Sequence, residues 1–89
     1  MMLVVTIAMQ DTPDGGVFVP KHVTIHAGDS VQFVNKADNK MLHNATNDDW
    51  DTDLLKPGET ATIKFPKAGT FPYYCLPHKQ TMTGTIEVK

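Results

Sequence analysis

Residues 71–84 read FPYYCLPHKQTMTG, and this stretch places three side chains that bind metals in one short segment. Cys75, His78 and Met82 supply a thiol, an imidazole and a thioether. Pro77 restricts the backbone to a turn that brings His78 round to the side of Cys75. Strand-like alternation flanks the stretch on both sides, so we expect its central part to form the loop between the last two strands.

The pattern around this loop predicts an all-β protein. Ile86 and Val88 alternate with polar residues after the loop, and Thr70 to Cys75 forms a strand before it. No stretch of ten residues shows a helical period, although Ala45 to Leu55 is ambiguous. Further strands are predicted within residues 3–9, 17–19, 23–25, 31–35 and 61–65, with turns at 12–16, 27–29, 57–58 and 68–69. About seven or eight short strands at this spacing favour a β-sandwich or a small barrel.

Length and composition predict a single domain, residues 1–89, and exclude several classes of function. Eight Lys, no Arg and ten acids give a net charge of −2, which is no basic surface for nucleic acid. No apolar run approaches the ~18 residues of a membrane span. Residues 1–9 lack Lys and Arg and alternate as a strand does, so we expect a mature form without a signal peptide.

The single cysteine, Cys75, rules out an internal disulfide, so any cross-link in this small domain should be a metal. His43 lies 32 residues upstream, just past a predicted strand, where the end of a sandwich would bring it close. Two imidazoles, a thiolate and a weak thioether match a mononuclear copper site for electron transfer. Zinc prefers more Cys or His ligands and does not use Met, and calcium and magnesium need oxygen ligands. A two-cysteine binuclear copper site would need a second Cys.

The sequence resembles the cupredoxin family of type 1 blue copper proteins, in particular the plastocyanin, pseudoazurin and amicyanin group. The resemblance covers about Val17 to Lys89. Its motifs are Phe33-Val34-Asn35, His43-Asn44, Pro57-Gly58-Glu59, Ala68-Gly69-Thr70, Tyr74-Cys75-Leu76-Pro77-His78 and Met82-Thr83-Gly84-Thr85-Ile86-Glu87-Val88. It implies an eight-stranded Greek-key sandwich that carries one electron on one copper ion. By position, it implies equatorial ligands at His43, Cys75 and His78 and an axial ligand at Met82.

The sequence departs from this family in three places. Three residues separate His78 from Met82, a spacing shorter than in plastocyanins and pseudoazurins and longer than in amicyanins. Leu76 stands where the family usually has Ser or Thr, so we expect Asn44 to join the two ligand loops through backbone contacts instead. The segment from His43 to Cys75 is shorter than in plant plastocyanins, which predicts that a strand or helix is trimmed there.

The resemblance also implies how partners would dock. His78 would be the exposed ligand at an apolar end formed by Leu42, Leu76, Pro77 and Met41. We expect a monomer that docks briefly with a c-type cytochrome or a membrane redox complex, in the periplasm or another extracytoplasmic compartment such as the thylakoid lumen. Tyr74 would mark a second, more remote electron port. Asp48, Asp49 and Asp51 either steer a basic partner or form an ordinary solvated loop.

Other interpretations of these residues stay open at this point. A copper chaperone or storage protein of the same fold would use the same ligands, and a thiol enzyme would use Cys75 as nucleophile with a His as base. Met41 and Gln80 compete with Met82 for the axial position. His22 and His26 lie roughly 13 Å apart on one strand face, so they are expected at the surface rather than on one metal. Trp50 is expected to anchor an acidic loop.

Overall fold

The computed structural model describes residues 2–89, and Met1, the first residue of the predicted domain, lies outside them. The strands, in chain order, are β1 (Val4–Thr12), β2 (Gly15–Val19), β3 (His22–Ile25), β4 (Ser30–Asn35), β5 (Thr60–Lys64), β6 (Gly69–Tyr74) and β7 (Thr83–Val88). A single turn of 3₁₀ helix spans Leu76–His78. Within residues 2–89, no helix has the length and apolar character needed to cross a bilayer.

The strands form two sheets, which confirms the predicted all-β sandwich. One sheet has the order β2-β1-β4-β5 and the other β3-β7-β6. Strands β1 and β4 pair in parallel, and so do β3 and β7. Neither pair is consecutive in the sequence, because the chain crosses to the other sheet and back between the paired strands. This crossing brings the ends of β1, β4 and β6 to one end of the sandwich.

Seven strands lie in the described residues, within the predicted seven or eight and one fewer than the family resemblance implies. The difference lies in the shortened segment after β4. Residues 36–59 form no strand there and pair only through single bridges, His43 with Leu55 and Thr46 with Asp51 and Tyr74. The ambiguous stretch Ala45 to Leu55 contains no helix.

The first hairpin is tighter than the sequence pattern predicts. Strand β1 continues to Thr12 and β2 begins at Gly15, so only Pro13 and Asp14 form the turn. Thr12 pairs with Gly15 and Asp11 with Gly16. Gly15 has a φ of +128°, which a residue with a Cβ rarely adopts.

The core confirms the predicted alternation, with Gly84, Ile86 and Val88 buried on the inner face of β7. Phe33 and Tyr73 pack edge to face with ring centroids 5.5 Å apart. The Trp50 ring lies 5.8 Å from each of them and so anchors its loop, as predicted. His22 and His26 are exposed.

A buried carboxylate holds the two sheets together at the end remote from the cysteine loop. Asp29 accepts hydrogen bonds from the Leu3 amide and the His26 amide, each 3.0 Å long. Leu3 precedes β1 and His26 follows β3, so one side chain joins a strand of each sheet. These bonds, the Leu3 bond foremost, hold the pKa of Asp29 below its usual value of 3.8.

We expect Asp29→Asn to lower the free energy of unfolding at neutral pH, because the amide NH2 cannot accept the second backbone bond. The folded pKa is depressed, so the stabilisation is present above the unfolded pKa near 3.8 and is lost as the pH falls through the folded value. The difference between wild type and variant in urea unfolding should therefore shrink below about pH 4. The exposed Asp38→Asn is the matched control, and a difference independent of pH would contradict this assignment.

Candidate metal centre

Backbone hydrogen bonds close the loop that follows β6. The Cys75 amide donates to the Met82 carbonyl at 3.0 Å, and the His78 amide donates to the Cys75 carbonyl at 3.1 Å. The Met82 amide donates in turn to the His78 carbonyl at 2.9 Å. These bonds hold the turn formed by the three residues between His78 and Met82. They place the side chains of Cys75, His78 and Met82 in the same region of the protein.

Two buried asparagines shape the loop that carries His43. Asn35, the last residue of β4, donates through Nδ2 to the carbonyls of Met41 at 3.0 Å and Leu55 at 2.8 Å. Asn39 donates through its own Nδ2 to the Met9 carbonyl of β1 and to Asn35 Oδ1, both at 2.6 Å. His43 then continues the loop through its backbone bridge to Leu55.

The structure brings His43 to the cysteine loop, as the sequence analysis predicts. The Cys75 Sγ lies 3.7 Å from His43 Nδ1 and 3.6 Å from His78 Nδ1. The three ligand atoms lie within 4.8 Å of one another. His43 and Cys75 have no exposed surface, whereas His78 is half-buried.

Asn44 joins the two loops. Its Oδ1 accepts a hydrogen bond of 2.7 Å from the Leu76 amide, and its Nδ2 donates to Asp51 Oδ1 at 3.2 Å. The contact to the backbone of Leu76 confirms the expectation that follows from the missing Ser or Thr at that position. Asp51 supplies the polar side chain that Leu76 lacks.

The sulfur of Cys75 is buried but is not without polar neighbours. Burial raises the pKa of the Cys75 thiol, while hydrogen bonds from the Asn44 and His78 amides lower it part of the way back. A bound cation would favour the thiolate further, because a coordinating thiol is deprotonated. The same two amides would then stabilise the negative charge on sulfur.

Met82 is fully buried beside this group. A Cβ added to Gly16 would lie 2.7 Å from Met82 Sδ and 2.8 Å from His43 Cε1, so the thioether and the imidazole border one small space. A Cβ added to Gly15 would collide with the His78 ring. The hairpin between β1 and β2 therefore covers the cluster closely, and only glycine leaves room for it.

The donor set fits copper. Two imidazole nitrogens and a thiol sulfur converge with a thioether next to them, which is the combination of soft and borderline donors that copper electron-transfer sites use. Of the two competitors for the fourth position, Gln80 is exposed and Met41 is half-buried. Neither His22 nor His26 belongs to the cluster of His and Cys ligands in residues 2–89.

Three exposed apolar residues, here called the apolar rim, lie within two residues of His43 or His78 in the chain. Leu42 is 45 % exposed and Leu76 is 60 % exposed, and Pro77 is exposed as well. Met41, the fourth residue of the predicted apolar end, is half-buried, and the docking role of this end stays a prediction.

The surface beside Tyr74 carries charges of both signs. Tyr74 lines a groove together with Asn47, Asp48 and Lys79, and the Lys79 Nζ lies 5.1 Å from the centre of the tyrosine ring. Asp51, in contrast, is held by its bonds to Asn44 and the Asp53 amide. Of the three acids at positions 48, 49 and 51, Asp51 is therefore engaged in hydrogen bonds, whereas Asp48 faces the groove.

Asp11, Gly15 and Gly16 border the site although no sequence motif marks them. Asp11 Oδ1 lies 2.7 Å from the Nε2 of His43. The glycine pair has the sequence pattern of an ordinary turn, and Asp11 precedes the same turn with no motif around it. A long-range contact of this kind leaves no periodic signal in the sequence.

Comparisons with known proteins agree with this geometry. Residues 5–89 match the family described as "Copper binding proteins, plastocyanin/azurin family". The chain is 39 % identical over 84 residues to the chloroplastic plastocyanin of Chlamydomonas reinhardtii, covering 81 % of this chain but only 58 % of that protein. It is 35 % identical over 92 residues to the plastocyanin of Vicia faba, covering 84 % of this chain and 91 % of that one.

Solved structures show the same fold. Amicyanin from Paracoccus versutus superposes with a TM-score of 0.82 at 25 % identity, covering 97 % of this chain and 81 % of the amicyanin. A purple cupredoxin from Nitrosopumilus maritimus gives a TM-score of 0.84 at 21 % identity, covering 96 % and 99 %. With its copper-type donor cluster and the match over residues 5–89, the chain belongs to the plastocyanin/azurin family of copper-binding proteins.

Proposed function

We propose that this chain is a one-electron carrier, and not an enzyme, that shuttles electrons between redox proteins. Its metal ligands are His43, Cys75, His78 and Met82, and residues 1–89 form one cupredoxin domain. The observation that carries the proposal is the convergence of two imidazole Nδ1 atoms and one thiol within 4.8 Å, with the buried Met82 beside them. A single copper ion bound there would supply a one-electron couple.

The surroundings of the ligands support electron transfer because they resist rearrangement. His43 is held through its backbone to Leu55, and the cysteine loop is closed on itself by three hydrogen bonds. The contact between Asn44 and Leu76 links one loop to the other. A copper ion bound to side chains held in this way would meet little rearrangement of its surroundings when it gains or loses an electron.

Burial argues against the two alternative functions. A thiol nucleophile needs a depressed pKa and access to substrate, whereas burial raises the pKa of Cys75 and its side chain has no exposed surface. A copper chaperone hands its ion to an acceptor through accessible ligands, but His43, Cys75 and Met82 are all fully buried. His78 alone reaches the surface, which suits the exit of an electron rather than of an ion.

Docking would use the apolar rim around His78. Exposed Leu42, Leu76 and Pro77 offer a small contact area, which suits brief encounters with a c-type cytochrome or a membrane redox complex. The groove at Tyr74 would be a second port, with Asp48 and Asp49 steering a basic partner. We further propose that the carrier is a monomer in the periplasm or another extracytoplasmic compartment. Relatives described as chloroplastic support a compartment of the thylakoid-lumen kind.

We expect the wild-type protein loaded with Cu(II) to show an intense visible thiolate-to-copper charge-transfer band and a matching EPR signal. Cys75→Ser should lose the band because the thiolate donor is gone. His22→Ala is the matched control, since it removes an exposed imidazole outside the cluster, and it should keep the band. A wild-type protein that binds Cu(II) without the band would refute the proposed function.

We expect Gly16→Ala to weaken Cu(II) binding, because its Cβ would press on Met82 Sδ and on the His43 ring. A side chain forced off its rotamer costs roughly 0.5–1.5 kcal/mol, so the affinity should fall by about two- to tenfold for each displaced ligand. Competition titration with a chromophoric chelator measures the loss. Val17→Ala, an outward-facing neighbour in β2, should keep wild-type affinity, and equal affinities for the two variants would contradict the covering role of Gly16.

We expect Leu76→Asp to slow electron exchange with a c-type cytochrome by about tenfold, equivalent to ~1.4 kcal/mol of docking free energy. A charge placed in the apolar rim would have to be desolvated on contact. Stopped-flow mixing measures the second-order rate. Val4→Asp is the control, because Val4 is 63 % exposed at the other end of β1. Equal slowing by both variants would place docking elsewhere.

A further inference from the structure

A carboxylate contacts the ring nitrogen of His43 that faces away from the thiol. Asp11 Oδ1 lies 2.7 Å from His43 Nε2, and Asp11 lies 32 residues upstream near the end of β1. The His43 side chain has no exposed surface, and the Asp11 side chain is 22 % exposed. Hydrogen bonds to a charged acceptor in a partly buried site are shorter and stronger than neutral ones.

The protein, and not His43 alone, orients this carboxylate. Asp11 Oδ2 accepts the Lys40 amide at 2.7 Å and the Met41 amide at 3.3 Å. The Asp11 amide in turn donates to Asn39 Oδ1 at 3.0 Å. The two amides that donate to Oδ2 favour the carboxylate over the protonated acid, and the Asn39 bond holds the backbone that carries it. Asp11 therefore points an anionic oxygen at the imidazole.

A neutral imidazole carries one N–H, and the carboxylate decides which nitrogen bears it. An acceptor at Nε2 requires the proton there, which leaves the lone pair on Nδ1. That nitrogen is the one 3.7 Å from Cys75 Sγ. His78 presents its Nδ1 to the same sulfur at 3.6 Å but is half-buried, so the two imidazoles differ in their surroundings.

We propose that Asp11 is a positioning residue that fixes His43 in the Nε2–H tautomer and strengthens Nδ1 as a donor, so that the oxidised ion is favoured over the reduced one. This inference rests on the proposed copper site. A carboxylate partner raises the basicity of a ligating imidazole, and a nearby negative charge stabilises the more positive ion. Asp11 thereby lowers the reduction potential of the centre.

The test replaces Asp11 by Asn and compares it with Asp14→Asn, which removes the same charge from an exposed residue of the adjoining turn. We expect Asp11→Asn to reduce Cu(II) affinity by about 10- to 100-fold, the range seen for partners of ligating histidines, and Cu(I) affinity by clearly less. A tenfold fall in the ratio of the Cu(II) affinity to the Cu(I) affinity raises the reduction potential by ~59 mV for one electron. Asp14→Asn should change the ratio by less than about twofold.

The ratio separates this role from a purely structural one. The side-chain NH2 of Asn cannot accept a hydrogen bond from the Lys40 amide, so Asp11→Asn will also lower the free energy of unfolding. Urea unfolding of the metal-free protein measures this loss. Reduced stability with an unchanged affinity ratio would overturn the proposal. An equal shift of the ratio in Asp14→Asn would also overturn it, because the effect would then be one of net charge.

A second measurement needs no variant. Nitrogen-15 NMR of the metal-free wild-type protein reports which ring nitrogen of His43 is protonated, and we expect Nε2–H with a slowly exchanging proton. A proton on Nδ1 would overturn the proposal. This measurement can fail separately from the proposed function. A wild type without the charge-transfer band would refute the electron-carrier function, but the tautomer of His43 would still be measurable.

Discussion

The hydrogen bond from the Leu76 amide to Asn44 Oδ1 is the contact on which the site depends, because it joins two loops that are distant in the chain. His43 and Cys75 are 32 residues apart, and nothing local holds them together. Next to this bond, Thr46 and Tyr74 exchange backbone hydrogen bonds of 2.9 and 3.0 Å. Each bond contributes only about 0.5–1.5 kcal/mol, but together they set the distance between imidazole and thiol.

Much of the fold could be predicted from the sequence, because a period of two is a local signal. Ile86 and Val88 show the buried face of β7 without reference to the rest of the chain. The grouping of the site residues was equally accessible, since Cys75, His78 and Met82 lie in one loop and His43 follows a predicted strand. That grouping is what the structure shows, while the assignment of these four as ligands remains a proposal.

The parts that could not be predicted depend on contacts between distant segments. The irregular residues 36–59 are held by side chains such as Asn35, whose two bonds to carbonyls have no counterpart in a sequence pattern. Gly16 and Met82 meet across 66 residues, and a glycine pair beside Pro-Asp is indistinguishable from an ordinary turn. Asp11 looks like any acid at the end of a surface strand until His43 is placed against it.

The complete burial of Cys75 has a consequence for the motions of the metal-free protein. Its sulfur is enclosed by two imidazoles and by the amides of Asn44 and His78, so a labelling reagent reaches it only when the surrounding loops separate. At a fixed pH, the speed of thiol labelling therefore follows the population of transiently opened molecules. Because Cys75 is the single cysteine of the chain, its labelling reports how often this end of the sandwich opens locally.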